Sequence, residues 1–368
     1  MAVLNRLDAE TTSNVLAHWI EEQVGHPVEI HDLEIPSSAG ISMTTMLFTA
    51  SWRDGEELRT HELVARVEPN VPGLFEKSSL ATEFRLLDTL HRNTDIPVAP
   101  VRWLETDPTL LGSPFMVMDR VHGKVPGDDP PFVVEGWVAD LAPADRRRLF
   151  ENAIEVLARL HALDVDALEL GYLDRPERGR RGIDQQVGIL ERYYRWASEG
   201  TPSPTIEAAL EWADRNRPGD DRIVLSWGDS RLGNIIYSAD LTVAAILDWE
   251  IASLASPQLD MGWFVLFVRY YSEGIGVPLL EGLPTRDEVI SRYEELAGHA
   301  LPDIDYYERL ALIRLSIIMM RIGKLMIEGG ALPADNPMPI SNPASQLLAR
   351  LLELPPPIGD STNFVGNR

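Results

Sequence analysis

The chain has 368 residues, of which 45% are hydrophobic and 24% charged, as in an ordinary globular protein rather than a disordered one. This length is typical of two domains or of two lobes. The formal net charge of −24 argues against nucleic acid or an anionic membrane surface as the main partner, because both would repel a strongly negative protein. Without cysteine, the chain can form no disulfide, thiolate metal site or catalytic thiol.

The negative charge has two interpretations: it attracts a cationic small molecule, or it only keeps the protein in solution. The N-terminal segment lacks the apolar stretch of a signal peptide. The most apolar long window, 310–327, is interrupted by Arg314, Arg321 and Lys324, which is too many charges for a membrane span. We therefore expect a cytoplasmic protein that does not enter a membrane.

The first 120 residues predict a small α+β lobe. Apolar residues at helical spacing precede Gly25, which ends the first helix, and Asp54-Gly55 is typical of a hairpin turn. Helices are predicted near residues 7–24 and 79–90, and strands at 43–50, 63–67 and 115–121. We expect an antiparallel sheet flanked by helices.

The remainder, residues 121–368, predicts a larger and mainly helical lobe. A segment rich in Pro, Gly and Asp, 123–143, connects the two lobes. Helices are predicted at 144–163, 183–197 and 206–212 and from 261 to about 352, with short strands at 223–227, 235–237 and 244–248. The short strands flank the most informative part of the chain.

Three polar residues in this part carry a recognisable chemistry. Asp229 is followed five residues later by Asn234, and Asp248 comes fourteen residues after that. Phosphoryl transfer from a nucleotide needs one carboxylate that orients the attacking hydroxyl and accepts its proton. It also needs an amide oxygen and a second carboxylate that hold Mg²⁺ against the triphosphate, and hard oxygen ligands suit Mg²⁺.

The combined pattern resembles the aminoglycoside phosphotransferase and choline kinase family, which has the protein-kinase-like fold, over roughly residues 30–326. The family carries His-Gly-Asp, four residues, Asn, and later Ile-Asp-Trp-Glu. Here Gly228-Asp229, Asn234 and 247–250 match, while Trp227 replaces the His. The resemblance implies that Asp229 is the catalytic base, that Asn234 and Asp248 bind Mg²⁺, and that Asp260 buttresses the catalytic loop.

The resemblance also implies a nucleotide site in the small lobe. Arg66 stands where most protein kinases have a phosphate-binding lysine, and Glu83 is its partner on the following helix. Arg231 either reaches the transferred phosphate or is a solvated loop arginine. The other implied nucleotide contacts are Ser38, Gly40 and Ser42 in the phosphate-covering loop, Met118 in the adenine pocket, and the backbones of Asp119 and Val121 at the hinge.

The implied function is ATP- and Mg²⁺-dependent transfer of the γ-phosphate to a hydroxyl of a small molecule. The acceptor stays open between an aminoglycoside or other cationic amino-alcohol and a hydroxyacyl-coenzyme A or other non-antibiotic metabolite. The wording Trp-Gly-Asp-Ser-Arg-Leu-Gly-Asn at 227–234 resembles the phosphotransferase-like domains associated with acyl-CoA dehydrogenases. The basic run 178–181 is either a solvated loop or a patch for a phosphate-bearing substrate.

A third interpretation is a nucleotide-binding regulator that has lost catalysis. Retention of Asp229, Asn234 and Asp248 argues against it. His161, at the end of an apolar helix, is expected to pack or hydrogen-bond below the catalytic loop rather than take part in chemistry.

Overall fold

A computed structural model describes residues 8–36, 42–76, 79–219 and 222–359. The chain divides into two compact units, Ala2–His122 and Gly123–Arg368. The first is a mixed helix and strand unit with an antiparallel sheet, and the second is mainly helical. The predicted α+β class, with the sheet in the N-terminal part and helices in the C-terminal part, is confirmed.

The N-terminal unit is built on one five-stranded sheet with the order β1-β2-β3-β5-β4, and every neighbouring pair is antiparallel. Its elements are α1 (Ala9–Val24), β1 (Val28–Glu34), β2 (Thr44–Asp54), β3 (Glu57–Val67), α2 (Leu80–Asn93), β4 (Val101–Glu105) and β5 (Phe115–Asp119). Strands β1 and β4 were not located from the sequence. Both are edge strands with few fully buried positions, so neither shows a clear apolar alternation.

Local signals explain the ends of these elements. The Asp8 carboxylate accepts the Thr11 N–H at 2.9 Å and begins α1, and Gly25 ends it in the left-handed conformation, with φ of 73°. Asp54 pairs with Glu57 across a two-residue turn, so the predicted hairpin is confirmed.

In its described residues, 123–219 and 222–359, the C-terminal unit contains seven α-helices and two small antiparallel sheets. The helices are α3 (Pro143–His161), α4 (Ile183–Ser198), α5 (Pro204–Arg215), α6 (Pro257–Arg269), α7 (Arg286–Ala297), α8 (Ile304–Glu328) and α9 (Pro343–Leu351). The strands are β6 (Val224–Ser226), β7 (Ile235–Tyr237), β8 (Val243–Ile246) and β9 (Ser253–Ala255), paired as β6–β9 and β7–β8. Single turns of other helix types lie at Leu170–Leu173, Pro176–Arg178, Leu232–Asn234 and Tyr270–Gly274.

Helix α8 runs through the core of this unit and packs against α4, α5, α6 and α9. Its contact with α6 is unusually close at Gly262, where a Cβ would lie 2.6 Å from the carbonyl carbon of Tyr307. Only glycine lets the two backbones approach in this way. In the described part of the chain, no helix combines the length and the apolar character needed to cross a membrane.

Candidate active site

The candidate catalytic loop leaves β6 and enters β7, and a glycine shapes its first turn. Gly228 has a φ of 93°, and a Cβ there would lie 2.6 Å from the Ile251 carbonyl oxygen. Both the backbone conformation and the space require glycine. The Gly-Asp pair of the motif therefore directs Asp229 out of the core at a fixed point.

Three side chains hold the carboxylate of Asp229. The indole Nε1–H of Trp263 donates to Oδ1 at 2.7 Å, and Nδ2 of Asn234 donates to Oδ2 at 2.7 Å. Nε of Arg231 lies 3.2 Å from Oδ1. The Asp229 side chain remains 21% exposed, so the carboxylate is oriented by its neighbours and still accessible.

A second carboxylate, that of Asp260, lies fully buried beneath the same loop. It accepts hydrogen bonds from the Ser226 hydroxyl at 2.9 Å and from the backbone N–H groups of Trp227 and Gly228 at 2.7 and 2.8 Å. Burial alone would raise the pKa of Asp260, but hydrogen bonding and charge from His161 and the two N–H groups outweigh it and lower that pKa. Asp260 thus ties the start of α6 to the loop.

His161 at the end of α3 completes this support. Its Nε2 lies 3.0 Å from Asp260, and its Nδ1 lies 2.7 Å from the hydroxyl of Tyr293 on α7. The imidazole is buried and both ring nitrogens contact protein groups. His161 therefore lies below the loop in a hydrogen-bonding position, as the sequence indicated.

The β7–β8 hairpin brings the two predicted metal ligands to one end. The Asn234 carbonyl oxygen accepts the Leu247 N–H at 2.8 Å, and Asp248 is the next residue, with φ of 56°. Among the described residues, no three His, Cys, Asp or Glu side chains converge on a metal position. Asn234 and Asp248 both carry side-chain oxygen atoms, which is the type of ligand that Mg²⁺ prefers.

Arg231 is held rather than solvated. Its Nη1 pairs with Asp128, which also accepts the Tyr271 hydroxyl at 2.6 Å, and its guanidinium lies 5.9 Å from the Phe267 ring centroid. The side chain is 20% exposed. Burial would lower the pKa of Arg231, but the Asp229 and Asp128 carboxylates raise it well above the usual value. Its charge is therefore permanent beside Asp229.

Trp227, which replaces the family histidine, has become part of the core. It is fully buried, its Nε1–H donates to the Leu247 carbonyl at 2.7 Å, and its ring centroid lies 6.1 Å from that of Trp249. The indole therefore links the catalytic loop to the turn that carries Asp248.

Sequence reasoning did not identify Trp263, Arg314 or Asp128 as parts of the site. Trp263 is 34 residues from Asp229, and Asp128 is 103 residues from Arg231, so no local motif joins them. One signal was available for Arg314: it is a charged residue within an apolar helix. Its Nη2 donates to the Gly228 carbonyl oxygen, and its guanidinium carbon lies 3.8 Å from the Trp263 ring centroid.

The N-terminal unit brings its predicted basic and acidic residues into contact. Nη1 of Arg66 on β3 donates to Oε1 of Glu83 on α2 at 2.7 Å, and the Glu83 side chain is only 1% exposed. Ser42 lies two residues before β2 and is partly buried, whereas the predicted positions Ser38 and Gly40 lie outside the described residues.

The predicted hinge follows β5. Met118 is buried, and Asp119 ends the strand with its carboxylate paired to Arg102. The backbone N–H of Asp119 donates to the Pro100 carbonyl at 2.8 Å, so this N–H is not available to a nucleotide. Val121, two residues further on, is partly buried.

The basic run 178–181 is neutralised by carboxylates of the same region. Arg181 donates to Asp174 at 2.8 Å, and Arg180 donates to Asp184 at 3.3 Å. These pairs favour an internally compensated loop over a patch for phosphate.

A small cavity lies beside Arg231. Its aromatic lining consists of Phe132, Phe150, Phe264, Phe267 and Tyr271.

Residues 46–299, more than half of the chain, match the profile of the phosphotransferase enzyme family. The chain belongs to the phosphotransferase enzyme family. The predicted resemblance to the aminoglycoside phosphotransferase group is thereby confirmed.

Two curated relatives come from Mus musculus. The chain is 26% identical over 380 residues to acyl-CoA dehydrogenase family member 11, a match that covers 95% of this chain and 47% of that protein. It is 28% identical over 290 residues to acyl-CoA dehydrogenase family member 10, covering 74% of this chain and 25% of that protein. The chain thus spans a quarter to about half the length of these relatives.

Two solved structures share the fold of this phosphotransferase. A "putative aminoglycoside phosphotransferase" from Ralstonia eutropha has 22% identity and a TM-score of 0.66, over 92% of this chain and 98% of that one. The GDP and kanamycin complex of APH(2")-IIia has 15% identity and a TM-score of 0.58, with the same coverage. At these identities the likeness concerns the fold, which is the predicted protein-kinase-like one.

Proposed function

We propose that this phosphotransferase uses ATP and Mg²⁺ to transfer the γ-phosphate to a hydroxyl of a small molecule. The observation that carries the proposal is the Asp229 carboxylate, which is oriented by Trp263 and Asn234 and still accessible. A carboxylate held in this way can orient an attacking hydroxyl and accept its proton.

In the proposed reaction, Asp229 accepts the acceptor proton as the new bond between the hydroxyl oxygen and the γ-phosphorus forms and the bond to the β-phosphate oxygen breaks. Arg231, whose charge is fixed by Asp128, balances negative charge on the transferred group. Asn234 and Asp248 would hold Mg²⁺, which when bound neutralises charge on the β- and γ-phosphates. Most of the rate would come from positioning and electrostatics.

The N-terminal unit would bind the nucleotide. Arg66, held by Glu83, is suited to the α- and β-phosphates because a guanidinium offers paired donors to phosphate oxygens. At the hinge, the carbonyl of Asp119 and the N–H of Val121 would contact the adenine edge beside Met118. The GDP complex of the APH(2")-IIia relative supports nucleotide binding by this fold.

A hydroxyacyl-coenzyme A is the second candidate acceptor beside an aminoglycoside. The curated relatives are named as members of the acyl-CoA dehydrogenase family, and these names favour it. An inactive nucleotide-binding regulator is disfavoured, because the Asp229 carboxylate is oriented by Trp263 and Asn234 and remains accessible.

The test is transfer of labelled γ-phosphate from Mg·ATP to a panel of aminoglycosides, amino-alcohols and hydroxyacyl-coenzyme A thioesters. We expect a labelled product with one class of acceptor, abolished in Asp229→Asn and retained in Asp140→Asn, an exposed loop carboxylate of the same unit. Nucleotide binding without any Asp229-dependent transfer would instead support the regulator.

A further inference from the structure

Trp263 and Arg314 form a contact that extends from the core of the C-terminal unit to the Asp229 carboxylate. The guanidinium of Arg314 lies 3.8 Å from the centroid of the Trp263 ring, which is stacking distance for a cation and an indole. The same indole also makes a polar contact, because its Nε1–H donates to Asp229 Oδ1 at 2.7 Å. A second ring, Phe267, packs edge-on against Trp263 with centroids 5.2 Å apart.

The arginine in this contact is unusual because its surroundings are costly for a charge. Burial lowers the pKa of Arg314 to about 10, although Asp229 and Asp260 oppose that effect, so the group stays charged at neutral pH. Its Nη2 donates to the Gly228 carbonyl, and its Nε is buried without a hydrogen-bond partner in the structure. A partly buried, incompletely paired cation is destabilising by itself, so a purely structural role explains it poorly.

We propose that Trp263 and Arg314 are positioning residues that fix the orientation of the Asp229 carboxylate for phosphoryl transfer. The inference rests on the proposed function of Asp229 as the base. Trp263 holds Oδ1 and Asn234 holds Oδ2, so both oxygens are constrained and the carboxyl group cannot rotate about its own axis. Arg314 keeps the indole in place from one face and the loop backbone in place at Gly228.

This arrangement matters because a general base must meet its proton within a narrow range of distances and angles. A displacement of about 1 Å at a reacting group can cost roughly a hundredfold in rate. A hydrogen bond to a charged group corresponds to about 10- to 100-fold. Loss of the Trp263 N–H should therefore act on turnover and not on nucleotide binding.

The chain offers a matched control in Trp137. Its Nε1–H donates to a backbone carbonyl, that of Val125, at 2.9 Å, and the ammonium of Lys124 lies 5.8 Å from its ring centroid. Trp137 therefore shares the indole donor and the cation over the ring, but its acceptor is not Asp229. Trp137→Phe removes the same chemical group as Trp263→Phe at a position outside the site.

The kinetic experiment compares the wild type, Trp263→Phe, Trp137→Phe and Arg314→Lys in the consumption of Mg·ATP, with water as the acceptor if no other is known. We expect kcat to fall about 10- to 100-fold in Trp263→Phe, with the affinity for Mg·ADP unchanged within twofold, and to stay at the wild-type value in Trp137→Phe. Arg314→Lys keeps the charge but not the flat stacking surface, and should lower kcat by a smaller factor.

A second measurement does not depend on activity. The protein has nine tryptophans, and the indole N–H signal of Trp263 is identified in a ¹⁵N–¹H correlation spectrum by its disappearance in Trp263→Phe. We expect this signal to move when Asp229→Asn replaces the charged acceptor, while the Trp137 signal stays. If Trp263→Phe does not fold, β-(3-benzothienyl)alanine at position 263 keeps the bicyclic shape and lacks only the N–H.

The inference is wrong if Trp263→Phe, or the benzothienyl variant, turns over ATP as fast as Trp137→Phe while Asp229→Asn is inactive. That result would show that Asp229 is the base and that Trp263 is not needed to position its carboxylate. If the wild type shows no turnover that depends on Asp229, the proposed function fails instead. An Asp229-dependent shift of the Trp263 signal would then report a structural contact only, and the positioning role would be wrong as well.

Discussion

The two carboxylates of the catalytic loop, Asp229 above it and Asp260 below it, have opposite surroundings. Asp260 is fully buried and accepts hydrogen bonds from a hydroxyl, two backbone N–H groups and an imidazole. Asp229 is 21% exposed and is held by side chains alone. The comparison indicates that Asp260 fixes the loop, and in the proposed reaction Asp229 acts from it.

The largest expected effect is on transfer in Asp229→Asn. We expect turnover to fall about a thousandfold, because general base catalysis contributes roughly 10²- to 10⁴-fold. The free energy of unfolding should change less than in Asp260→Asn, since Asp229 anchors no backbone group. Single-turnover transfer and urea denaturation measure the two quantities. Full activity in Asp229→Asn would show that Asp229 is not the general base.

In Asp260→Asn, we expect the main loss to be in the free energy of unfolding rather than in transfer. An amide cannot accept all the donors that converge on Asp260, so we expect a loss of about 3 kcal/mol in the free energy of unfolding. Urea denaturation at neutral pH measures it. A variant as stable as the wild type would show that Asp260 does not fix the loop.

The pH dependence of the same variant sharpens this point. The pKa of Asp260 in the folded chain lies below its ordinary value of 3.8. Its stabilising contribution is therefore complete above that value and is lost as the pH falls through the lowered folded-state pKa. The stability difference between the wild type and Asp260→Asn should shrink in acid. A difference that stays constant down to denaturation would contradict the assignment.

A smaller effect on transfer is expected in Asp128→Asn. Asp128 joins Arg231 to Tyr271, and its loss should let the Arg231 guanidinium leave its place beside Asp229. We expect turnover to fall about tenfold, the lower end of the range for one hydrogen bond to a charged group. Asp140→Asn is the control. Unchanged transfer would show that Arg231 acts without this support.

The smallest effect is expected in Ser226→Ala, which removes one of the donors to Asp260. The free energy of unfolding should fall by about 1 kcal/mol, with transfer unchanged. Thermal and urea denaturation together measure so small a difference. A large loss of transfer would mean that the two sides of the loop are not separable.

The parts of the site that the sequence predicted are those whose residues are close along the chain. Asp229 and Asn234 are five residues apart on one loop, and the local hydrogen bond between them follows from that spacing. Trp263 and Arg314 reach the loop from two helices, and only the packing of α6 on α8 brings them there. No periodicity or motif records such a contact, because helices of the same pattern can pack in several ways.

The elements of the fold that were not predicted from the sequence were missed for the same reason: they depend on contacts between residues distant along the chain. Long apolar helices and the β2–β3 hairpin have strong local patterns, and they were located. Strand β9, with three residues, is defined only by its pairing with β6, as in the partners Ser226 and Ser253, which are 27 positions apart along the chain. The net charge was equally uninformative about the site, where two partly buried cations, Arg231 and Arg314, lie near Asp229.

Gly262 has a consequence for how this protein can vary. It lies between Asp260 and Trp263 on α6, at the point where α6 touches the backbone of α8. A single added methyl group would push α6 outward and move the anchor of the loop and the donor to Asp229 in the same direction. The size of the side chain at this one position therefore affects both the stability of the loop and the orientation of the Asp229 carboxylate. A substitution there cannot change one of these properties without the other.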